Sequence, residues 1–395
     1  MKKLDLVILA GGKGTRIKKY LKKNAKPLAI FNKKPFLQYL INNLVKYNLE
    51  NIFILTGYKS RSILKKFKNK NFNFSQVTCI KEKKLMGTGG ALYNIKKKKI
   101  NDFILVNGDT IFNIDLNELI KSCDKKSLGS IAICKNLSYK SNIKLNGLKI
   151  KNKKVIYSSK SSFMNGGVYF FKKKILNLIK NKPQSLEDDI LPNLIKRRKI
   201  SGKFFNDFFL DIGTPKNFNK ASSLLLKHFK KPAAFLDRDG VINFDNGYIH
   251  KIKDFKFRPG VIQGLTFLRK KGYYIFIITN QAGIAKGKYT EKEFFILHKK
   301  LKAKLQKKNI FFDEVKFCPY HPDGKIKKYK RKSKLRKPGN LMIEKVRLNW
   351  DINMKKSFMI GDKETDKLCA KKSNLYFEFA KRNFYNQVKN LNKKI

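Results

Sequence analysis

The 395-residue sequence predicts an α/β protein built from two doubly wound, Rossmann-like domains in series, residues 1–228 and 232–395. Three observations carry that prediction. Short apolar runs rich in branched residues, such as Leu4–Ala10 and Ala233–Leu236, end abruptly in glycines or carboxylates. Helical patterns separate these runs, which is the rhythm of parallel strands joined by crossover helices. One complete set of such units finishes before Pro232, and a second begins at Ala233.

The length leaves room for two cores of ordinary size. Apolar residues make up 42% of the chain and fall in periodic runs, which excludes a disordered polyelectrolyte. The formal net charge of +63 raises nucleic-acid binding as a rival class. Such a protein with vestigial sites would bind DNA or RNA tightly and with steep salt dependence. The lysines, however, are spread over nearly every polar segment, without the arginine-plus-aromatic patches that stack bases. The charge therefore reads as a compositional bias whose field attracts anionic substrates, and no nucleic-acid partner is expected. Cys79, Cys123, Cys134, Cys318 and Cys369 show no paired spacing, which fits a reducing compartment. A strand begins almost at the first residue and no run reaches the length of a membrane span, so the expectation is a cytoplasmic protein with no membrane partner. The oligomeric state is left open.

In chain order, the strand Leu4–Ala10 runs into Gly11-Gly12-Lys13-Gly14-Thr15-Arg16. Glycines there let backbone N–H groups form a nest for a phosphate. The spacing is neither that of the ATPase phosphate loop nor that of the dinucleotide fingerprint. A helix over 36–47, strands at 51–56 and 103–106, and a mostly parallel sheet follow. Met86-Gly87-Thr88-Gly89-Gly90-Ala91 is a second close-approach segment opening a helix, and Asn107-Gly108-Asp109 sets a carboxylate at a strand end.

These motifs in this order, with Lys26-Pro27 between them, resemble the sugar-1-phosphate nucleotidyltransferases. Asn165-Gly166-Gly167-Val168-Tyr169, Ser185-Leu186-Glu187-Asp188-Asp189 and Asp211-Ile212-Gly213-Thr214-Pro215 resemble the D-glycero-D-manno-heptose 1-phosphate guanylyltransferase branch. The resemblance implies a glycosyltransferase-A-like fold over about 225 residues and in-line attack of a sugar phosphate on the α-phosphate of a nucleoside triphosphate, GTP in that branch. It implies that Gly11, Gly12, Gly14 and Thr15 cradle the nucleotide, with Gly87, Thr88, Gly89 and Gly90 against the base or ribose. Arg16 and Lys26 would neutralise developing charge, and Asp109 and Asp211 would hold Mg²⁺. Lys160, Asn165, Gly166 and Glu187 would grip the sugar phosphate. Two departures stand out: Ala25 takes a position where the family usually has proline, and Ser141-Asn142-Ile143 replaces a Tyr-Gly pair.

A helix over 218–228 is stopped by Lys230-Lys231-Pro232, with no long Gly/Ser or Pro-rich linker. Next comes Asp237-Arg238-Asp239-Gly240, two carboxylates at the end of a buried strand, where doubly wound folds place ligands. A strand over 273–278 ends in Thr279-Asn280-Gln281. Then come Arg336-Lys337-Pro338 and Phe358–Gly361 followed by Asp362.

This order resembles the haloacid dehalogenase superfamily. Within it, DRDGVIN, TNQAGIAKG, CPYHP, RKP and GDKETD resemble the D-glycero-D-manno-heptose 1,7-bisphosphate 7-phosphatases and the related histidinol phosphatases. The resemblance implies Asp237 as nucleophile, Asp239 as general acid and base, and Thr279 and Lys337 as the phosphate clamp. Asn280, Gln281 and Arg336 would lie toward the substrate, with Mg²⁺ held by Asp237, Asp362 and the Asp239 carbonyl. Asp366 reads as a helix N-terminal acid in preference to a residue of the metal shell. The short spacing from Asp237 to Thr279 leaves no room for a large cap. Family members often carry a zinc loop before Arg-Lys-Pro. Here Cys318 is kept, but Tyr320, Ser333 and Leu335 fill the other ligand positions and His321 lies one residue late, so no zinc is expected.

The combined expectation is a Mg²⁺-dependent bifunctional enzyme for an activated heptose. Open alternatives are another sugar phosphate or nucleotide, such as a hexosamine phosphate or UTP, and activity in one half alone.

Overall fold

The computed structural model describes residues 3–21, 24–135 and 147–395; Ser141-Asn142-Ile143 falls outside them. The chain divides into two compact units, Met1–Asn43 with Leu49–Leu224, and Leu225–Ile395 with Leu44–Asn48.

In the first unit the strand Leu4–Leu9 is central because both its faces are covered: Leu6, Val7 and Ile8 are fully buried. It pairs in parallel with Leu49–Thr56 on one side and Asp102–Asn107 on the other. Asp5, also fully buried, ties the starts of these three strands together. Its two oxygens accept from the backbone and side-chain N–H groups of Asn51 and Asn101 at 2.7–3.0 Å. Four donors satisfy the buried charge, so it holds the register.

The sheet as described has the order Gly147–Lys151, Lys154–Ser158, Ile200–Phe204, Gly129–Lys135, Phe163–Phe171, Asp102–Asn107, Leu4–Leu9, Leu49–Thr56, Ser75–Lys81, Asn71–Phe72. It is mixed rather than mostly parallel. Phe163–Phe171 runs antiparallel to both its neighbours, Asp102–Asn107 and Gly129–Lys135. Parallel neighbours need a crossover element; among the described residues only the hairpin of Gly147–Lys151 and Lys154–Ser158 lies between Gly129–Lys135 and Phe163–Phe171. A two-stranded ribbon, Thr110–Phe112 with Phe209–Asp211, stands apart from this sheet and pairs Asp211 with Thr110. The helix expected at 36–47 spans Phe36–Leu44, and the one at 218–228 begins earlier, at Pro215, and ends at Phe229.

The second unit holds a five-stranded, wholly parallel sheet in the order Glu314–Cys318, Tyr274–Asn280, Ala233–Leu236, Phe358–Gly361, Tyr376–Phe379. Its three inner strands are unbroken apolar runs, as strands covered on both faces must be. Phe235, Phe276, Met359 and Trp350 pack together in its core. Between Ala233–Leu236 and Tyr274–Asn280 the chain forms a loop and one helix, Val261–Lys270. The carboxyl ends of the three inner strands carry Asp237, Thr279 and Asp362. Among the described residues no helix is long and apolar enough to cross a membrane.

Candidate active sites

In the second unit, Asp237 follows its strand directly, and its N–H still donates to the Ile360 carbonyl (3.0 Å), so the sheet fixes its backbone. Its side chain is 7% exposed, and Oδ1 accepts from the Arg238 N–H at 2.7 Å and from Lys337 Nζ at 2.9 Å. Lys337, 2% exposed, also reaches the Ile278 carbonyl (2.9 Å) and Asp366 Oδ1 (2.5 Å). Burial opposes the lysine's charge, but Asp237 and Asp366 outweigh it and hold its pKa above the ordinary value. Burial pushes Asp237 up to about 7 against the pull of Lys337, with Asp366 adding to the rise.

Asp366 is more than a helix N-terminal acid. It does hold the Lys363 N–H at 3.1 Å, at the start of Glu364–Lys372, but it is fully buried and its other oxygen faces Lys337. One oxygen each from Asp237, Asp362 and Asp366 lies within 4.8 Å of the others. Asp362 Oδ1 is buried with no hydrogen-bond partner. Three carboxylates around one lysine leave net negative charge, and an orphaned hard oxygen faces it, so the donor set fits a Mg²⁺ ion. Gly240 is required beside it: its φ is +80°, and a Cβ there would lie 2.4 Å from Asp362 Oδ2.

Asp239 is held apart from Asp237. Both its oxygens accept from the Arg238 guanidinium at 2.7–3.1 Å, and they also accept from Asn243 Nδ2 (2.9 Å) and Gln281 Nε2 (3.0 Å). Every partner is a donor that holds the carboxyl group in place, and only the Asp239 carbonyl is left to offer a metal. Arg238, which sequence reasoning passed over, is 1% exposed and lies over the Phe294 ring at 5.6 Å. Gln281 and Asn280, expected toward the substrate, line the cavity beside Asp237 and are hydrogen-bonded to its other residues. Gln281 bridges Asp239 and Thr279 Oγ1 (2.8 Å) and accepts from the Tyr289 hydroxyl (2.5 Å). Asn280 pins the Lys337 backbone through two bonds of 3.0 and 3.1 Å. A cavity of about 460 Å³ is lined by Asp237, Asp239, Thr279, Arg336, Lys337 and Asp366 among others, and Arg336 Nη1 is buried without a hydrogen-bond partner.

In the first unit, Gly14 takes a left-handed φ of +65° before the turn Thr15–Ile17, which carries Arg16. The turn brings Arg16 to the Gly213 backbone, beside Lys26 and Asp211. A Cβ on Gly213 would lie 2.8 Å from both Lys26 Nζ and Asp211 Oδ1, and 3.2 Å from Arg16 Nη2. Lys26, 8% exposed, is ion-paired with Asp109. The ribbon register sets Asp211 opposite Thr110, and burial and then Asp109 raise the Asp211 pKa. Two neighbouring carboxylates, one raising the pKa of the other, also fit a divalent cation.

A cavity of about 340 Å³ runs from Gly11, Gly12 and Lys13 past Gly87, Thr88, Asn107 and Asp109. A Cβ on Gly12 would meet nothing within 4 Å, so its backbone faces open space. Gly89 and Gly90 are turned away from this cavity: Cβ atoms there would strike Ile190 (2.5 Å) and the Lys182 carbonyl (2.7 Å). Their N–H groups donate to the Gln184 carbonyl, so their need for glycine comes from backbone packing. Thr88 donates to Glu187 (2.6 Å), and Asn165 donates to the Tyr169 hydroxyl (2.6 Å), whose pKa burial and Glu187 raise. Gly166 lies under the Phe112 ring. Lys160 is an exposed turn residue with no recorded bond to the other candidates.

Glu82 was not anticipated. It lines the same cavity at 7% exposure, with apolar Leu9, Leu55 and Leu85, and its Oε1 is buried without a hydrogen-bond partner. Burial, opposed by the Met86 N–H, pushes its pKa up to about 7. It lies between Lys81 and Lys83 in the sequence, where nothing local marks it as buried.

Comparison with known proteins identifies the families of both parts. The nucleotidyl transferase family model matches residues 6–228, more than half of the chain, and the polynucleotide kinase 3 phosphatase model matches 234–390. A D-glycero-beta-D-manno-heptose-1,7-bisphosphate 7-phosphatase of Photorhabdus laumondii is 42% identical over 139 residues, covering 35% of this chain and 74% of that protein. The enzyme of that name from Escherichia coli K12 is 40% identical over 144 residues, 36% of this chain and 75% of that protein. Among solved structures, HddC from Yersinia pseudotuberculosis is 30% identical, with a TM-score of 0.47, over 55% of this chain and 98% of that one. The chain thus belongs to the nucleotidyl transferase family in its first part and to the family of these phosphatases in its second, and is a bifunctional enzyme of sugar-nucleotide biosynthesis.

Proposed function

We propose that the second unit hydrolyses the 7-phosphate of D-glycero-D-manno-heptose 1,7-bisphosphate and that the first converts heptose 1-phosphate and GTP to GDP-heptose and pyrophosphate. The observation that carries this reading is that each unit has its own cleft of carboxylates and cations at strand or ribbon ends, suited to consecutive phosphoryl reactions. The substrate in the names of the phosphatase relatives, a heptose bisphosphate, supports the sugar.

In the phosphatase, Asp237 attacks phosphorus and the bond to the sugar oxygen breaks. Protonated Asp239 then gives its proton to the departing alkoxide. Water next attacks the aspartyl-phosphate, Asp239 takes its proton, and Asp237 leaves as carboxylate. Lys337 and Thr279 hold the phosphoryl oxygens, Arg238 and Gln281 hold the Asp239 carboxyl in place, and Arg336 faces the rest of the substrate. Mg²⁺ held by Asp237, Asp362 and the Asp239 carbonyl would supply charge that offsets repulsion between nucleophile and phosphate.

In the transferase, a sugar-phosphate oxygen attacks the α-phosphorus and pyrophosphate departs. The work left to the protein is positioning and charge stabilisation. Gly11, Gly12, Gly14 and Thr15 offer the phosphate cradle, and Arg16 and Lys26 offset the developing charge. Asp109 and Asp211 would hold a Mg²⁺ ion that neutralises the phosphates. Asn165, Gly166, Glu187 and Lys160 are assigned to the sugar side. Glu82 favours guanine: a carboxylate accepts from two adjacent donors, and guanine offers them as N1–H and the N2 amino group, whereas uracil offers one.

The test is nucleotide-sugar formation from a panel of sugar 1-phosphates and nucleoside triphosphates in Mg²⁺. Turnover is expected with heptose 1-phosphate and GTP; its absence, with turnover of a hexosamine phosphate or UTP, sinks the reading.

A further inference from the structure

The phosphatase resemblance brings with it a zinc loop before Arg336-Lys337-Pro338, and the residues here do not fit that ion. Cys318 is fully buried, and its Sγ points at the Tyr320 carbonyl 3.8 Å away. His321 uses Nδ1 to accept the Asp323 N–H at 3.1 Å. The Ser333 hydroxyl accepts the Leu335 N–H at 3.2 Å, and the Leu335 side chain packs against the apolar cluster that contains Cys318, Met342 and Trp350. A half-buried aliphatic side chain packed against the core occupies the place of a ligand.

Other contacts hold the loop. The Arg331 guanidinium lies 3.9 Å from the centroid of the Tyr320 ring, and Tyr329 flanks that ring at 6.2 Å. The backbone closes beneath them: the His321 N–H donates to the Tyr329 carbonyl and the Arg331 N–H to the His321 carbonyl, both at 3.2 Å. The chain then turns, with the Arg336 N–H on the Ser333 carbonyl (3.0 Å) and the Gly339 N–H on the Arg336 carbonyl (2.7 Å). That turn delivers Arg336 to the cavity with its Nη1 buried and lacking a partner.

We propose that the Arg331–Tyr320 stack, with half-buried Leu335 packed against the core, replaces a metal as the brace of this loop. Tyr320 and Arg331 are then positioning residues that act through Arg336 on the part of the substrate remote from the scissile phosphate. The proposal rests on the phosphatase reading of this cavity.

The test uses the full-length protein. Metal analysis by mass spectrometry should find zinc far below stoichiometry, and hydrolysis of the sugar bisphosphate in Mg²⁺ should survive a zinc-selective chelator. Tyr320→Ala and the exposed-site variant Arg331→Met should each raise KM for the bisphosphate roughly fivefold, the scale of one exposed cation–π contact. Their kcat should be unchanged, as should their hydrolysis of p-nitrophenyl phosphate, which has no second phosphate. Tyr320→Phe should restore KM. Stoichiometric zinc whose removal ends activity would overturn the proposal, as would an equal loss on both substrates in both variants. A wild-type protein that hydrolyses neither substrate would instead remove the phosphatase reading, and the zinc count would still decide what braces the loop.

Discussion

In the C-terminal unit Asp237 and Asp366 are nearly or fully buried around one buried lysine, while in the N-terminal unit Asp109 and Asp211 are partly exposed beside Lys26 and Arg16. The difference follows the chemistry proposed for each. A carboxylate that attacks phosphorus gains from a dry site where its orientation is fixed and its charge is poorly solvated. A transfer between two bound phosphates needs an open channel and charges spread along it. Burial is therefore the property to perturb in one unit, and charge placement in the other.

The largest separation should come from Asp237→Asn. Phosphate release should fall by at least ~10³-fold, with nucleotidyl transfer unchanged within about twofold, read in separate assays of the two reactions. The mirror experiment, Asp109→Asn, should cut nucleotidyl transfer by roughly 10²-fold while sparing phosphate release. Loss of both activities in either variant would contradict two separate sites.

Much of the phosphatase cleft was legible in the sequence because its residues sit at the ends of apolar strands, where a run such as Ala233–Leu236 announces the carboxylate after it. The parallel sheet aligns those ends without further information. The transferase cleft was less legible. Asp211 joins Asp109 through a short ribbon, and Gly89 looks like a ligand glycine although backbone packing requires it. Glu82 escaped notice because its burial depends on the tertiary placement of Leu9, Leu55 and Leu85 around a cavity, which no local pattern records. Asn280 and Gln281 line the cavity from a strand end, but their bonds to Lys337 and Asp239 depend on tertiary placement that no local pattern records.

Glu82 gives an intermediate effect. Glu82→Gln should lower kcat/KM for GTP by about 10²-fold, because one buried donor of the base loses its acceptor, and should narrow the preference over UTP. Burial places the folded pKa near 7 against an ordinary 4.5. The carboxylate form that binds guanine thus fills as pH rises, so wild-type kcat/KM for GTP should climb through about 7 and level off, and the Gln variant should lack that limb. Stability runs the other way: the group's contribution is complete below 4.5 and is lost as pH rises through about 7. Thermal melts across that window should show a shallower decline in the variant.

The smallest effect is Gly240→Ala. A Cβ at φ +80° and 2.4 Å from Asp362 Oδ2 should cost about 1–3 kcal/mol in denaturant unfolding and slow phosphate release, with nucleotidyl transfer intact. An unchanged phosphatase would mean that the close approach of Gly240 to Asp362 is not needed.

The central claim is that one chain carries out two consecutive steps at two sites. Heptose 1,7-bisphosphate, GTP and Mg²⁺ incubated with the full-length protein and followed by ³¹P NMR test it most directly. Inorganic phosphate should appear first, followed by pyrophosphate and GDP-heptose, and Asp237→Asn should stop the sequence at its start while still converting heptose 1-phosphate. Pyrophosphate released before any phosphate, or phosphate with no nucleotide sugar after it, would contradict the account.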